Sequence, residues 1–400
     1  MSLIHSIRPL HIVAKIFGLV PFSVTITSNK RLMYPKISII DLIWSVTILA
    51  TILIMIILTG NSFHVTESEK INVLYVYTCL RMILIYDLIF VAICGIFNLI
   101  NRSIIVQIIN EFSRLDEKIS GIDVPVDYRK FRRYVIKSLL ISLGLFMFTL
   151  IVSEFPASSS TKLFSFMLYG GFIYTSFAIT IFLKIHQILI INVRMRYTLI
   201  NRILKRNFLS DNISIKIRII HSIDYDSNCS LIEQLARIHD RLGEIVDKIN
   251  FCYSFQVLIR LGSLISYVLL SSYSMCQAIL TKNDQLKGSS MVILASALFH
   301  TEHLLETIYC TSSMSNEAKQ TSVIVHKCVN RNEDARFTNR LMHFSQQLQH
   351  RKPVITCGLF TFDWTLIYSV RLLSVLFTFP IIGSAATYLM ILIQFSSPKK

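Results

Sequence analysis

The sequence predicts an all-α membrane protein with seven transmembrane helices, a cytosolic N-terminus, an extracellular C-terminus and helices extended into a cytosolic anchor domain. Three observations lead there. The 400 residues are 53% hydrophobic and only 16% charged, with 12 Gly and 8 Pro. The gaps between the apolar runs alternate between short and long. Lys and Arg collect in the long gaps. Such a composition excludes an ordinary soluble domain and a disordered chain.

About 20 apolar residues cross a bilayer as a helix. Before the first such run, Met1 to Val20 is broken by His5, Arg8, His11 and Lys15 and has no apolar core followed by a cleavage site, so it does not read as a secretory leader. The expected spans are Ser38 to Thr59, Val73 to Phe97, Val135 to Ser153, Leu163 to Ile191, Phe251 to Leu280, Met291 to Ser313 and Trp364 to Phe395, all in one domain over residues 1–400.

Charge orients them. The N-terminal stretch holds five basic residues (Arg8, Lys15, Lys30, Arg31, Lys36), and the long loops hold seven, ten and seven. The short loops hold one, one and two. The positive-inside bias makes the N-terminus and long loops cytosolic and puts the C-terminus outside. The sequons at Asn101, Asn212 and Asn228 all fall on the cytosolic side, where they cannot be glycosylated. A net charge of +16 is explained by this topology, and no nucleic-acid partner is expected.

The long inner loops are not linkers. Leu231-Ile232, Leu235, Ile238-His239, Leu242, Ile245-Val246 and Ile249 recur at helical spacing and run straight into the fifth span. Ile324, Cys328 and Val329 extend the sixth in the same way. The fourth, fifth and sixth spans are therefore expected to continue into the cytosol and pack there. The eight Cys lack CxxC spacing and are expected as free, packed thiols. No repeats mark an inverted-repeat transporter.

The last span ends in Thr387, Tyr388, five apolar residues, Gln394 and Phe395. A Gln in a helix otherwise apolar needs a hydrogen-bond partner or water. This terminal string resembles the signature of insect gustatory receptors. So does Thr356-Cys357-Gly358-Leu359-Phe360 through Asp363, which looks like that family's lead-in to its last helix, and Asn316-Glu317-Ala318-Lys319 with Thr321, which resembles the cytosolic end of its sixth helix. The resemblance implies a tastant-gated, non-selective cation channel, a homo- or hetero-tetramer with other gustatory receptors, in the plasma membrane of chemosensory neurons. It also implies a short cytosolic helix within about Phe337 to His350, and a tastant pocket in the outer half of the other helices.

At 3.6 residues per turn Ser384, Thr387, Ile391 and Gln394 share a face, with Tyr388 and Phe395 beside it. With the resemblance these six read as the pore lining; without it, Thr and Gln could equally hydrogen-bond a neighbouring helix. Val370 to Ile381 lengthens the last span beyond the family's usual form and brings in Arg371 and Pro380. Either the gene model is wrong at this junction or the helix is longer and kinked.

Polar residues inside spans are candidate ligand contacts. They are Tyr75, Tyr77, Thr78 and Arg81, with Asp87 deeper; Tyr169; Tyr267, Tyr273 and Gln277; and Ser296, His300, Glu302 and His303. Each could instead be a satisfied packing residue. Arg81 with Glu302 is the expected buried ion pair. His300, Glu302, His303 and Glu306 invite a metal reading, but their spacing lacks the His-Glu-x-x-His form and His300 with His303 alone is a weak signal, so no metal site is expected, nor any cofactor. No catalytic constellation stands out, and an enzyme is not expected. A bitter plant compound is the expected ligand class; a sugar, a G-protein-coupled receptor and a membrane transporter are the alternatives.

Overall fold

The computed structural model describes residues 3–20, 23–26, 33–36, 38–61, 71–122, 126–154, 162–209, 224–281, 284–331, 334–358 and 360–366. Among them run α1 (Leu3–Ile16), β1 (Ser23–Ile26), β2 (Met33–Lys36), α2 (Ile39–Asn61), α3 (Ile71–Ile100), α4 (Arg102–Ser120), α5 (Tyr128–Glu154), α6 (Lys162–Phe208), α7 (Asp224–Thr281), α8 (Asp284–Arg331) and α9 (Ala335–His350). The fold is mostly helical, with one correction to the all-α reading. Between α1 and α2, Ser23 to Ile26 pair antiparallel with Met33 to Lys36, in the register Val24 opposite Pro35 and Thr25 opposite Tyr34. Val24, Thr25 and Ile26 are β-branched and suit a strand, and Pro35 is tolerated because a two-stranded pair is all edge.

Among the described residues four stretches are long and apolar enough to cross a membrane: Ile39–Leu58, Arg81–Ile100, Gly170–Phe208 and Asn228–Val268. The runs expected to span at Val135 to Ser153 and Met291 to Ser313 fall on the continuous helices α5 and α8; the side chains at the end of the first run, residues 148–153, lie outside the described residues, and the second run is more polar. The middle of α8 carries Ser296, His300, Glu302, His303 and Glu306. Beyond residue 366 the expected seventh span, with all six pore candidates and Val370 to Ile381, lies outside the described residues.

Burial separates lipid-facing helices from core helices. Only 17% of the apolar stretch of α2 is buried, against 83% of that of α6. Ile39, Ile43, Leu53, Ile54 and Ile57 on α2 point outward, as a helix wetted by lipid requires. Gly95 sets the crossing of α2 over α3: a Cβ there would meet Leu49 Cδ2 at 2.9 Å. The central helices are α6, α7 and α8, and each runs far beyond a bilayer's thickness, as the continuity of their apolar patterns predicts.

The extensions form a packed inner domain. On α7, Ile232, Leu235, Ile238, His239, Leu242, Ile245, Val246 and Ile249 are all buried, which is the helical stripe read from the sequence. They share one hydrophobic core with Ile200, Ile203 and Leu204 of α6, with Ile324, Val325 and Cys328 of α8, and with Phe337, Leu341, Phe344 and Leu348 of α9. The short helix expected within Phe337 to His350 is α9, capped by the Asp334 carboxylate, which accepts from Arg336 N at 2.9 Å. In α4 the buried residues Ile105, Ile108, Ile109, Phe112, Leu115 and Ile119 make an amphipathic stripe facing the same core.

A buried Arg closes this domain. Arg196 on α6 pairs with Asp116 of α4 at 2.8 Å, and its guanidinium sits 4.3 Å from the centre of the Phe112 ring. The Tyr128 hydroxyl donates to the same carboxylate. Burial, more than the opposing pull of Arg196, pushes the Asp116 carboxyl up from its ordinary range, and burial likewise raises Tyr128. At the start of α5, Asp127 accepts from Arg129 N and Lys130 N. The Lys130 N–H, first among several donors and cations, holds this exposed carboxyl below its ordinary range. The N-terminus is tied in by Lys15 to Asp41 at 2.7 Å and by the Trp44 indole donating to the carbonyls of Lys15 and Ile16.

Candidate functional site

Three polar assemblies stand out from the apolar packing. The first is the strap that launches the last helix. Thr356 and Thr361 bridge as in a short hairpin, and Phe362 N donates to Ile355 O at 2.9 Å. The turn between them needs Gly358, whose φ is +85°, a left-handed conformation that Gly adopts without strain. Two central helices clamp the strap. The Asn250 amide of α7 donates to Val354 O at 2.8 Å and accepts from Thr356 N at 3.2 Å. Ser254 donates to Thr356 O at 2.6 Å, and Thr311 of α8 donates to Phe362 O. Asp363 then caps the helix that follows, accepting from Thr365 N at 2.9 Å. Although burial opposes it, the Thr365 hydroxyl and N–H hold the Asp363 carboxyl below its ordinary range.

The second assembly lies where α3, α7 and α8 meet. Asp87, fully buried, pairs with Arg260 at 3.2 Å and accepts from the Tyr267 hydroxyl. Arg260 also donates to Ser263 Oγ at 2.9 Å and lies within 6 Å of the ring centres of Phe90 and Tyr267, at 5.7 and 5.9 Å. The Tyr267 ring stands 4.7 Å from that of His300, whose other neighbour is Phe299. Both ring nitrogens of His300, Arg260 Nη2 and both amide atoms of Gln256 have no hydrogen-bond partner among the described residues. Buried polar groups are nearly always satisfied, so these unpaired atoms, with the Tyr267 and Phe299 rings beside His300, are candidate contacts for a small molecule. Ile83, Ile293 and Ala297 supply an apolar wall beside Tyr267.

The third assembly joins α5, α6 and α8. Lys184, 2% exposed, pairs with Glu306, which also accepts from Ser138 Oγ at 3.1 Å. The Gln187 amide donates to Thr307 Oγ1 at 2.9 Å and to His303 O at 3.2 Å. Further in, Asn201 of α6 donates to Glu317 O at 2.9 Å and accepts from Thr321 Oγ1 at 2.7 Å. That places Glu317 and Thr321, read from the sequence as the inner end of the sixth helix, on the α6–α8 contact.

Of the predicted ligand contacts, Tyr267 and His300 come together, Ser296 is buried on the same helix as His300, and Glu302 and His303 lie side by side. Arg81 is buried and Thr78 half-buried on α3. The side chains of Tyr75, Tyr77, Tyr169, Tyr273 and Gln277 lie outside the described residues. The ion pair expected between Arg81 and Glu302 is not among the described ones: the interior pairs are Asp87 with Arg260 and Lys184 with Glu306, and Glu302 faces His303. Sequence reasoning passed over Arg260, Lys184 and Gln256. The signal was there, since a cation in an apolar span demands a carboxylate and few are available.

Long apolar helices packed around a common core, with a strap held by two of them and a buried polar cluster beside aromatic rings, make the architecture of a polytopic helical membrane protein. The family model described as 7tm Chemosensory receptor matches residues 7–397. The chain belongs to this chemosensory receptor family, in keeping with its resemblance to insect gustatory receptors; this is a family of receptors, not enzymes. Among curated proteins it is 26% identical over 340 residues to a Drosophila melanogaster protein carrying the name gustatory receptor 28a, covering 75% of this chain and 72% of that one. It is 23% identical over 313 residues to gustatory receptor 28b of the same organism, covering 72% of this chain and 63% of that one. The fold is that of the insect olfactory receptor OR5 from Machilis hrabei, with a TM-score of 0.64 at 11% identity over 98% of this chain and 99% of that one. The structure of OR5 in complex with eugenol superposes with a TM-score of 0.60 at the same identity and coverage.

Proposed function

We propose that this chain is a subunit of a tastant-gated, non-selective cation channel in the plasma membrane of chemosensory neurons, assembled as a homo- or hetero-tetramer with other gustatory receptors. In this reading it forms a single seven-helix unit with its N-terminus in the cytosol and its C-terminus outside. The observation that carries the reading is the strap: α7 and α8, which carry Arg260, Tyr267 and His300, also hold Val354, Thr356 and Phe362 and so the start of the last helix. A ligand that shifts α7 against α8 therefore displaces the root of that helix. Ser384, Thr387, Tyr388, Ile391, Gln394 and Phe395 would line the pore at its far end. Tyr267, His300 and their neighbours would bind the tastant.

Aromatic walls with a few unpaired donors and acceptors suit a flat, mostly apolar plant metabolite with one or two hydroxyls, a bitter compound in kind. The proposed pore stripe carries no fixed charge, so weak discrimination among monovalent cations follows. The test is to express the chain alone in cells, apply a panel of plant phenols, alkaloids and sugars, and record whole-cell current with G-protein signalling blocked by GDP-β-S. Ligand-evoked current that survives the block, with nearly equal sodium and potassium permeability, is the expected result. A response that vanishes under the block would overturn the channel reading.

A further inference from the structure

We propose that Glu302, His303 and Glu306 form a binding site for a divalent transition-metal cation of the zinc class. The three side chains rise from one face of α8, and their ligand atoms all lie within 4.8 Å of one another. By sequence this set lacks the His-Glu-x-x-His spacing; the structure nonetheless sets His303 Nδ1 beside both carboxylates, 3.1 Å from Glu302 Oε2 and 4.0 Å from Glu306 Oε2.

The hydrogen bonds around the imidazole carry the inference. His303 is fully buried. Its Nε2 lies 3.3 Å from Thr180 Oγ1. The Thr180 hydroxyl already donates its one proton to Ser176 O at 2.8 Å, so in the contact with His303 it accepts. His303 Nε2 must then carry the hydrogen, which leaves Nδ1 of the neutral ring as a bare lone pair. That lone pair has no hydrogen-bond partner among the described residues. It faces Glu302 Oε2 at 3.1 Å and Glu306 Oε2 at 4.0 Å. Glu302 Oε2 is likewise unpaired. Lys184 Nζ answers Glu306 Oε2, but His303 Nδ1 and Glu302 Oε2 face each other as two acceptors, and such a pair calls for a positive charge between them.

The spacing suits one. Zinc bonds imidazole nitrogen and carboxylate oxygen at about 2.0–2.2 Å, which puts two tetrahedral ligands roughly 3.3 Å apart. The Glu302–His303 separation already fits; with the ligand atoms spread over up to 4.8 Å, Glu306 closes by up to about 1.5 Å and trades its contact with Lys184 Nζ for the ion. Metal-bound imidazoles commonly donate their second nitrogen to a fixed oxygen, the role Thr180 fills here. One imidazole with two carboxylates selects zinc-class ions over calcium or magnesium. Lys184 neutralises Glu306, but it leaves Glu302 uncompensated, so a local negative charge remains. The side chains of Glu302 and Glu306 are 37% and 19% exposed, which gives the ion a way in.

The site stands apart from the channel reading and is tested without it. The purified full-length protein is stripped with EDTA and titrated with Zn2+ against a chromophoric chelator, and with Co2+ followed by visible absorption. One Zn2+ per chain is expected, bound at least tenfold more weakly by Glu302→Gln, an exchange at a partly exposed position that preserves shape. The Co2+ band is expected to vanish in His303→Gln, while His350→Gln, on the exposed face of α9, leaves both readouts unchanged. Equal Zn2+ affinity in the parent chain and Glu302→Gln would overturn the site, as would a Co2+ spectrum indifferent to His303. So would the absence of Zn2+ binding, which would assign the gap between His303 and Glu302 to a proton.

Discussion

Replacing Arg260 by Met removes the cation beside Asp87 and leaves a carboxylate that is 0% exposed with only the Tyr267 hydroxyl to answer its charge. Breaking a buried pair from one side costs about 3–5 kcal/mol, because the orphaned charge keeps its full desolvation penalty. Arg260 also loses its bond to Ser263 and its place between Phe90 and Tyr267, so the upper part of that range is expected. At roughly 2 °C per kcal/mol for a chain of this size, the detergent-solubilised variant should melt about 6–10 °C lower. The companion change Asp87→Asn in the same chain removes the orphaned charge and should restore most of the loss, to within about 1–2 kcal/mol of the parent, since a neutral buried amide needs only ordinary hydrogen bonds. Fluorescence-detected size-exclusion chromatography after a heat step measures the parent, each single variant and the double variant. A double variant as unstable as the sum of the two single changes would refute the reasoning, because it would mean that the two residues do not act on each other.

Three further outcomes follow from the strap and the caps. Asn250→Ala deletes two hydrogen bonds between α7 and the strap, about 2 kcal/mol in all, and should reduce ligand-evoked maximal current more than ligand binding, measured by patch clamp beside a binding assay. Gly358→Ala meets no atom within 4 Å, so its cost is backbone strain alone, about 1–2 kcal/mol, read as a melting shift of a few degrees. Asp127 has a folded pKa below its unfolded value, so its contribution to stability is complete above the ordinary carboxylate range and is lost as pH falls through the folded pKa. Asp127→Asn should flatten that acid limb of the stability curve below about pH 4 while keeping the cap on α5.

The helical stripe from Ile232 to Ile249 was legible because a period of 3.6 in the apolar positions needs no knowledge of the partner. So was the continuity of α6, α7 and α8 past their apolar spans, whereas the place of α9 came only with the family resemblance. The strap was visible only as a motif: Thr356 to Asp363 marks the place, but its role comes from Asn250 and Ser254, about 100 residues earlier, and from Thr311. The pairs Asp87 with Arg260 and Lys184 with Glu306 were out of reach for the same reason: each member is a charge in a span, and sequence does not say which helix faces which. The β1–β2 pair went unseen because two four-residue runs are too short for periodicity to register.

Sequence alone determined that this chain is a polytopic helical membrane protein of the chemosensory receptor kind, since apolar run length, charge asymmetry and a terminal motif are local properties of the chain. Tertiary structure alone decided which buried charges compensate each other, that His303 stands beside Glu302 and Glu306, and that α7 and α8 grip the root of the last helix. Those depend on contacts between residues 80 to 180 positions apart, and only the packing angles and rotations of whole helices fix such contacts.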